Sequence, residues 1–316
     1  MLILLSFLIA FMAVPPLILT LKKWQLGQII REEGPSSHLS KTGTPTMGGF
    51  LFVSMALMAV LICIILNQSD PSLLWGGYMI VAYSLVGFLD DFLKKNKKSP
   101  YGLRAREDIT LQILLAVPFL LYLLFSRSPS VSPWLWLPFK LFLILAITNS
   151  VNLTDGLDGL LTGISLLVFL FFVFLYFIGF TSPPFNPVLL YVLTGTLLAF
   201  LYFNFNPAKL FMGNVGSFAL GGFIAFLVLW TDIDWLFLIL GGIFLAEALS
   251  VILQVFYFKY TRKKTGSGKR IFKMAPIHHH FELMQIPEAT ITVRFWLLQT
   301  LLTLISLFIY TNRYGK

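Results

Sequence analysis

Val86-Gly87-Phe88-Leu89-Asp90-Asp91-Phe92-Leu93-Lys94-Lys95 marks the point where an apolar run meets a basic loop, with two adjacent carboxylates at the seam. A carboxylate near hydrocarbon costs about 2.5 kcal/mol or more, and two side by side repel unless they share a cation. The lysines that follow supply part of that charge; a divalent metal supplies it better. The run leading into the pair, residues 73–91, has the length of a transmembrane helix. Such a helix needs about 20 apolar residues to cross a hydrocarbon core about 30 Å thick. Further blocks of this kind fill the chain. Of its 316 residues, 57% are hydrophobic and only 12% charged, roughly half the charge of an ordinary soluble domain. The sequence therefore reads as an all-α polytopic membrane protein, folded as one domain over 1–316, because no stretch outside the blocks is long enough to fold alone. Cys63 is the only cysteine, which excludes an intrachain disulfide. Met1–Leu21 has neither a basic start nor a small-residue cleavage site and reads as an uncleaved first span.

Ten spans are expected, at about 2–21, 47–66, 73–91, 109–126, 134–151, 160–180, 187–204, 213–230, 235–258 and 291–311. The connections alternate between polar, basic segments and short neutral ones. Segments 22–46, 92–108, 152–159, 205–212 and 259–290 share one side and carry 4, 6, 0, 1 and 7 Lys and Arg, 18 in all. The other side has Arg127, Arg313 and Lys316, while Lys140 and Arg294 fall within spans. By the positive-inside rule the five basic-side loops face the cytoplasm and both termini lie outside. The net charge of +9 is then mainly a topology signal and implies no nucleic-acid partner. Nearly all the Asp, Asn, His and Gly clusters lie in the same five loops. An active site at the cytoplasmic membrane surface is expected, whereas a carrier would place such groups near mid-bilayer.

In Ser40-Lys41-Thr42-Gly43-Thr44-Pro45-Thr46-Met47-Gly48-Gly49, Thr46 suits a helix cap and the glycines a close backbone approach. Lys41 and Thr46 equally suit a phosphate at a helix N-terminus. Asp90 and Asp91 end a helix, where the dipole disfavours negative charge. In Asn152-Leu153-Thr154-Asp155-Gly156-Leu157-Asp158-Gly159, three-residue steps put Asn152, Asp155 and Asp158 on one drifting helical face, with no Lys or Arg to neutralise them. That cluster fits a metal, a sugar or a base, and its spacing excludes an EF-hand. The stretch from Asn204 to Ser217 joins amides suited to a nucleobase edge with Phe211, suited to its face. Ala275-Pro276-Ile277-His278-His279-His280-Phe281-Glu282 holds three of the four histidines. Adjacent histidines cannot all bind one ion, and no HExxH or CxxC is present, so hydrogen bonds to phosphate oxygens fit better than zinc. The seven cations from Lys259 to Lys273 suit topology retention and contact with anionic lipid. The combined inventory suits a nucleotide-linked, metal-bridged phosphate and a lipid co-substrate, hence phosphoryl transfer.

These motifs, with Phe211-Met212-Gly213 and Val215-Gly216-Ser217, closely resemble the phospho-N-acetylmuramoyl-pentapeptide transferases of the polyprenyl-phosphate N-acetylhexosamine-1-phosphate transferase superfamily. The resemblance covers almost the whole chain. The His-His-His-Phe-Glu ending favours this branch over the N-acetylglucosamine-phosphate one. The resemblance implies transfer from UDP-MurNAc-pentapeptide to undecaprenyl phosphate with Mg²⁺, giving lipid I and UMP, in the bacterial cytoplasmic membrane. It also implies a homodimer and a broken or bent ninth helix beside a groove for the lipid tail; Gly241-Gly242 suits such a bend. By motif, Asp90, Asp91, Asp155, Asp158, His278 and His279 would be catalytic. Asn204 and Phe211 would form a uridine pocket. Lys41, Thr46, Asn152, Gly213, Ser217, Gln254, Ala275 and His280 would line the substrate site, with Lys94 and Lys98 on phosphate.

Position 214 departs from the family pattern Gly-Asp-Val-Gly-Ser: it is Asn214, where the family aspartate binds Mg²⁺ together with Asp91. An amide keeps the shape and one oxygen but loses the charge, and Mg²⁺ tolerates few imperfect ligands. Weaker metal binding and reduced activity are expected. The acceptor phosphate, with its second pKa near 6, is largely dianionic at neutral pH, which leaves a general base little to remove. Direct in-line attack is therefore favoured over a covalent aspartyl-phosphate. The alternatives from other classes are a secondary transporter with acidic ion sites and an intramembrane metalloprotease. Glu247, inside the ninth span, has no evident role on this reading.

Overall fold

The computed structural model describes residues 1–24, 41, 43–97, 102–127, 131–179 and 184–314. The helices are α1 (Leu2–Lys23), α2 (Phe50–Ile65), α3 (Pro71–Lys97), α4 (Ala105–Arg127), α5 (Pro133–Thr154) and α6 (Leu160–Phe177). They continue with α7 (Val188–Asn204), α8 (Gly213–Trp230), α9 (Phe237–Leu240), α10 (Gly242–Thr265), α11 (Ile277–Glu282) and α12 (Glu288–Tyr314). No strand occurs among the described residues. Among the described residues, eight helices are long and apolar enough to cross a membrane, and α2 and α7 are shorter apolar helices of 16 and 17 residues. These ten correspond to the ten expected spans. The ninth is divided, because the helix is interrupted at Gly241 between α9 and α10. Several boundaries differ from expectation, and α3 runs on to Lys97, six residues past its expected end. The last two spans extend into longer helices, to Thr265 and Tyr314, and α11 is a short helix inside the segment expected as a loop.

Burial runs opposite to a soluble protein's outward polarity. Every side chain from Val215 to Trp230 of α8 is buried, and α3 and α5 pack along it. The outer helices keep apolar faces open, as on α10 at Leu249, Ile252, Val255 and Phe256. Lipid tails are as apolar as leucine, so close packing and not hydrophobicity holds such helices together. Gly87 shows how this places the site. A Cβ there would sit 2.0 Å from the Asn214 carbonyl oxygen, so only glycine lets α3 ride on the start of α8. One turn further along α3, Asp90 and Asp91 then fall beside Asn214 and Val215.

The two ends of the bundle differ. At the end away from the basic loops, Lys140 is 4% exposed and pairs with Asp234 at 2.5 Å and Asp232 at 3.5 Å. Arg127 pairs with Asp232 at 2.9 Å and donates to the Trp230 carbonyl at 2.7 Å. This network ties α4 and α5 to the turn after α8 and gives the in-span Lys140 a partner the sequence did not show. A buried charge of this kind is tolerable only when paired.

Candidate active site

At the basic end, the segments 45–49 and 211–212 are laced together by backbone hydrogen bonds. Phe211 N–H donates to the Pro45 carbonyl at 2.8 Å, Gly48 N–H to Phe211 at 2.9 Å, and Gly49 N–H to Met212 at 2.9 Å. Gly213 opens α8 with φ +70°, and a Cβ on it would meet Asp91 Oδ2 at 2.8 Å and Thr46 Oγ1 at 2.9 Å. Thr46, Gly213 and Asp91 therefore share one small space.

The first group of side chains centres on the aspartate pair. Asp90 Oδ1 accepts from Leu103 N–H at 2.7 Å, and its Oδ2 pairs with Lys94 Nζ at 2.6 Å and accepts from Asn214 Nδ2. Asp91 Oδ2 accepts from Val215 N–H at 3.2 Å, in the first turn of α8, where the helix dipole favours a carboxylate. Asn152 Nδ2 donates to Asn214 Oδ1 at 3.0 Å and to Ser217 Oγ at 2.8 Å.

The second group centres on Lys41. Its Nζ lies 2.7 Å from Asp158 Oδ1 and 2.5 Å from Glu288 Oε1, and 6.0 Å from the centre of the Phe211 ring. Burial alone would lower the Lys41 pKa, but the hydrogen bonds and charges of Asp158 and Glu288 more than offset this and raise it. Asp158 N–H donates to Glu288 at 2.7 Å, and Asp158 Oδ2 accepts from Ala208 N–H at 2.9 Å and Asn206 Nδ2 at 3.2 Å.

Asp155 links the groups. Burial, then the charges of Asp91 and Asp158, push its carboxyl up to about 7 from an ordinary 3.8. The folded state thus binds more protons than the unfolded chain between those pH values, and its stability falls as pH rises through that window. Asp155→Asn is expected to raise the melting temperature of the substrate-free protein at pH 8 and to leave it nearly unchanged at pH 4. Thermal unfolding at the two pH values checks this, and an equal change at both would sink it.

The remaining motif residues lie around this core. Asn204 is 4% exposed, and its amide is taken by Thr162 Oγ1 at 2.7 Å and the Leu210 carbonyl at 2.9 Å, so it shapes the turn behind Phe211. Gln254 clamps the backbone of Ile271 and Phe272, accepting at 2.9 and 3.0 Å and donating at 3.0 Å. Ala275 is half-buried just before α11. His278 is fully buried against Glu247, His279 Nδ1 lies 2.6 Å from Glu282, and His280 Nδ1 accepts from Lys273 N–H at 3.1 Å. Lys98 lies outside the described residues. Glu288 and Asn206 enter the site unannounced by the sequence. Glu288 follows a proline in the first turn of a helix, where an acidic residue is usually read as favouring the dipole.

Among the described residues no three of His, Cys, Asp and Glu form a ready-made metal cage. Asp91 with the Asn214 amide oxygen is still a hard-oxygen set of the kind Mg²⁺ uses when substrate phosphates and water complete its shell. Such a set would suit a cation only together with the oxygens of a bound diphosphate, since the Asn214 oxygen also accepts from Asn152.

Residues 73–232 match the glycosyl transferase family 4 profile. The phospho-N-acetylmuramoyl-pentapeptide-transferase of Caldanaerobacter subterraneus subsp. tengcongensis is 43% identical, over 97% of this chain and 95% of its own length. Those of Thermodesulfovibrio yellowstonii and Staphylococcus saprophyticus are each 40% identical, over 96% and 98% of this chain and 90% and 98% of theirs. Matches of this extent, on a bundle whose motif residues gather at one end, mean that the chain belongs to glycosyl transferase family 4 and to the phospho-N-acetylmuramoyl-pentapeptide-transferase family.

Proposed function

We propose that the protein transfers phospho-MurNAc-pentapeptide from UDP-MurNAc-pentapeptide to undecaprenyl phosphate, giving lipid I and UMP in peptidoglycan biosynthesis. The observation that carries this reading is the convergence of Lys41, Asp90, Asp91, Asp155, Asp158 and Glu288, from four separate segments, at the basic end of one helical bundle. A carrier would set such groups within the bilayer. Here Glu247, the acid inside α10, is bound to His278 of that same end.

The lysine count on the loops supports a cytoplasmic orientation of this end, with both termini outside a bacterial inner membrane. The open apolar face of α10 beside the helix interruption supports a groove for the polyprenyl tail. A homodimer fits the family. Lys41, with Phe211 above it, would hold the uridine end. Asp155 and Asp158 would position the sugar-phosphate, and Lys94 would hold the acceptor phosphate. Asp91 and Asn214 would hold Mg²⁺, which supplies charge neutralisation on the diphosphate and leaving UMP when bound. One phosphoanhydride is exchanged for another, so the reaction runs near equilibrium. The acceptor attacks in line, and a single displacement inverts configuration at phosphorus.

The test is UMP release from UDP-MurNAc-pentapeptide in detergent. Release is expected to need both a polyprenyl phosphate and Mg²⁺. Release that proceeds equally well without the lipid would overturn the reading.

A further inference from the structure

Glu247 is the one acid in the middle of a spanning helix that the reaction scheme leaves unused. It is 0% exposed in α10, and its partner His278 in α11 is also 0% exposed. His278 Nδ1 lies 3.0 Å from Glu247 Oε2, and the His278 backbone N–H lies 3.5 Å from the same oxygen. With Glu247 as the acceptor of both contacts, Nδ1 carries the proton. Two atoms of the pair are left over, Glu247 Oε1 and His278 Nε2, both buried and without a hydrogen-bond partner among the described residues. A buried polar atom without a partner costs about 1–3 kcal/mol, and native structures keep few of them.

The direction of Nε2 gives the orphan a use. A Cβ at Gly156 would meet Nε2 at 2.0 Å and Cε1 at 2.7 Å. The imidazole edge therefore lies against the turn between Asp155 and Asp158. Any residue but glycine at 156 would separate them.

We infer that Glu247 is a positioning residue for the transfer: it holds His278 as the tautomer protonated on Nδ1, with Nε2 set at the Asp155–Asp158 turn to accept from a hydroxyl of the nucleotide-sugar. A third group that orients a working histidine is a recurrent arrangement in catalytic sites. The inference rests on the transferase reading above, but one arm of its test does not.

Glu247→Leu removes the acceptor, and kcat for UMP release is expected to fall by about 10–100-fold with KM for the nucleotide-sugar little changed. Glu247→Gln restores an acceptor oxygen and is expected to recover most of that loss. Wild-type turnover in the leucine variant, or a glutamine variant as poor as leucine, would overturn the inference. The second arm is the ¹⁵N spectrum of histidine-labelled protein in bilayers, with the His278 signals assigned by their loss in His278→Gln. Nδ1 is expected to carry the proton. A neutral ring protonated on Nε2 instead would overturn the inference whether or not the leucine variant folds. Should the unaltered protein release no UMP at all, the transferase reading fails, and the spectrum still decides the pairing.

Discussion

Asn214→Asp is expected to raise Mg²⁺-dependent UMP release by about tenfold or more, the equivalent of roughly 1.4 kcal/mol in the free energy of metal binding. The reason lies in what the amide touches. Asn214 Nδ2 donates to Asp90 Oδ2, while its Oδ1 accepts from Asn152. The amide thus does at Asp90 some of what a cation would do. A carboxylate at 214 would turn an oxygen toward Asp90, with Lys94 the one cation among the described residues paired there to offset the repulsion. The substitution should therefore lower the melting temperature in EDTA and enlarge the rise in melting temperature when Mg²⁺ is added. Affinity for Mg²⁺ would climb because a charged ligand replaces a neutral one. Equal rates and an equal response to Mg²⁺ in the two proteins would refute the argument.

The parts of this structure legible in the sequence are those with a local physical signature. Each span needs an apolar run of fixed length, so ten runs gave ten spans, the ninth divided at Gly241, with ends displaced by at most seven residues. Asp90 and Asp91 were legible because carboxylates are expensive at the end of a membrane helix. The Asn152 to Asp158 cluster was legible because no cation accompanies it in sequence. Its cation is Lys41, more than a hundred residues away, and no local pattern announces that pair. Glu288 and Asn206 were missed for the same reason: each looks like ordinary punctuation, one at a helix start and the other before a proline. Asn204 and Gln254 show the converse limit. An amide in a motif can face a ligand or the chain's own backbone, and here both are taken up by the chain. Glu247 looked unexplained because its partner lies on α11, a helix too short for its periodicity to be read.

The two adjacent aspartates are expected to fail differently. Asp91→Asn should cut turnover by about 10³-fold, the scale of losing one charged group aimed at the reacting centre, with the melting temperature nearly unchanged. Asp91 is held by the backbone N–H groups of Asn214 and Val215. An asparagine oxygen can still accept from these, so the fold keeps its bonds while the site loses a charge. Asp90 sits in a different web. It takes Leu103 N–H and Asn214 Nδ2 and neutralises Lys94. Asp90→Asn strands that lysine and sets one amide against another, so stability and turnover should fall together, and an unpaired half-buried charge is the larger part of the loss. Thermal unfolding and UMP release measured on both variants separate the roles. A destabilised Asp91→Asn beside an unperturbed Asp90→Asn would reverse the assignment and make Asp90, not Asp91, the carboxylate whose charge the site uses.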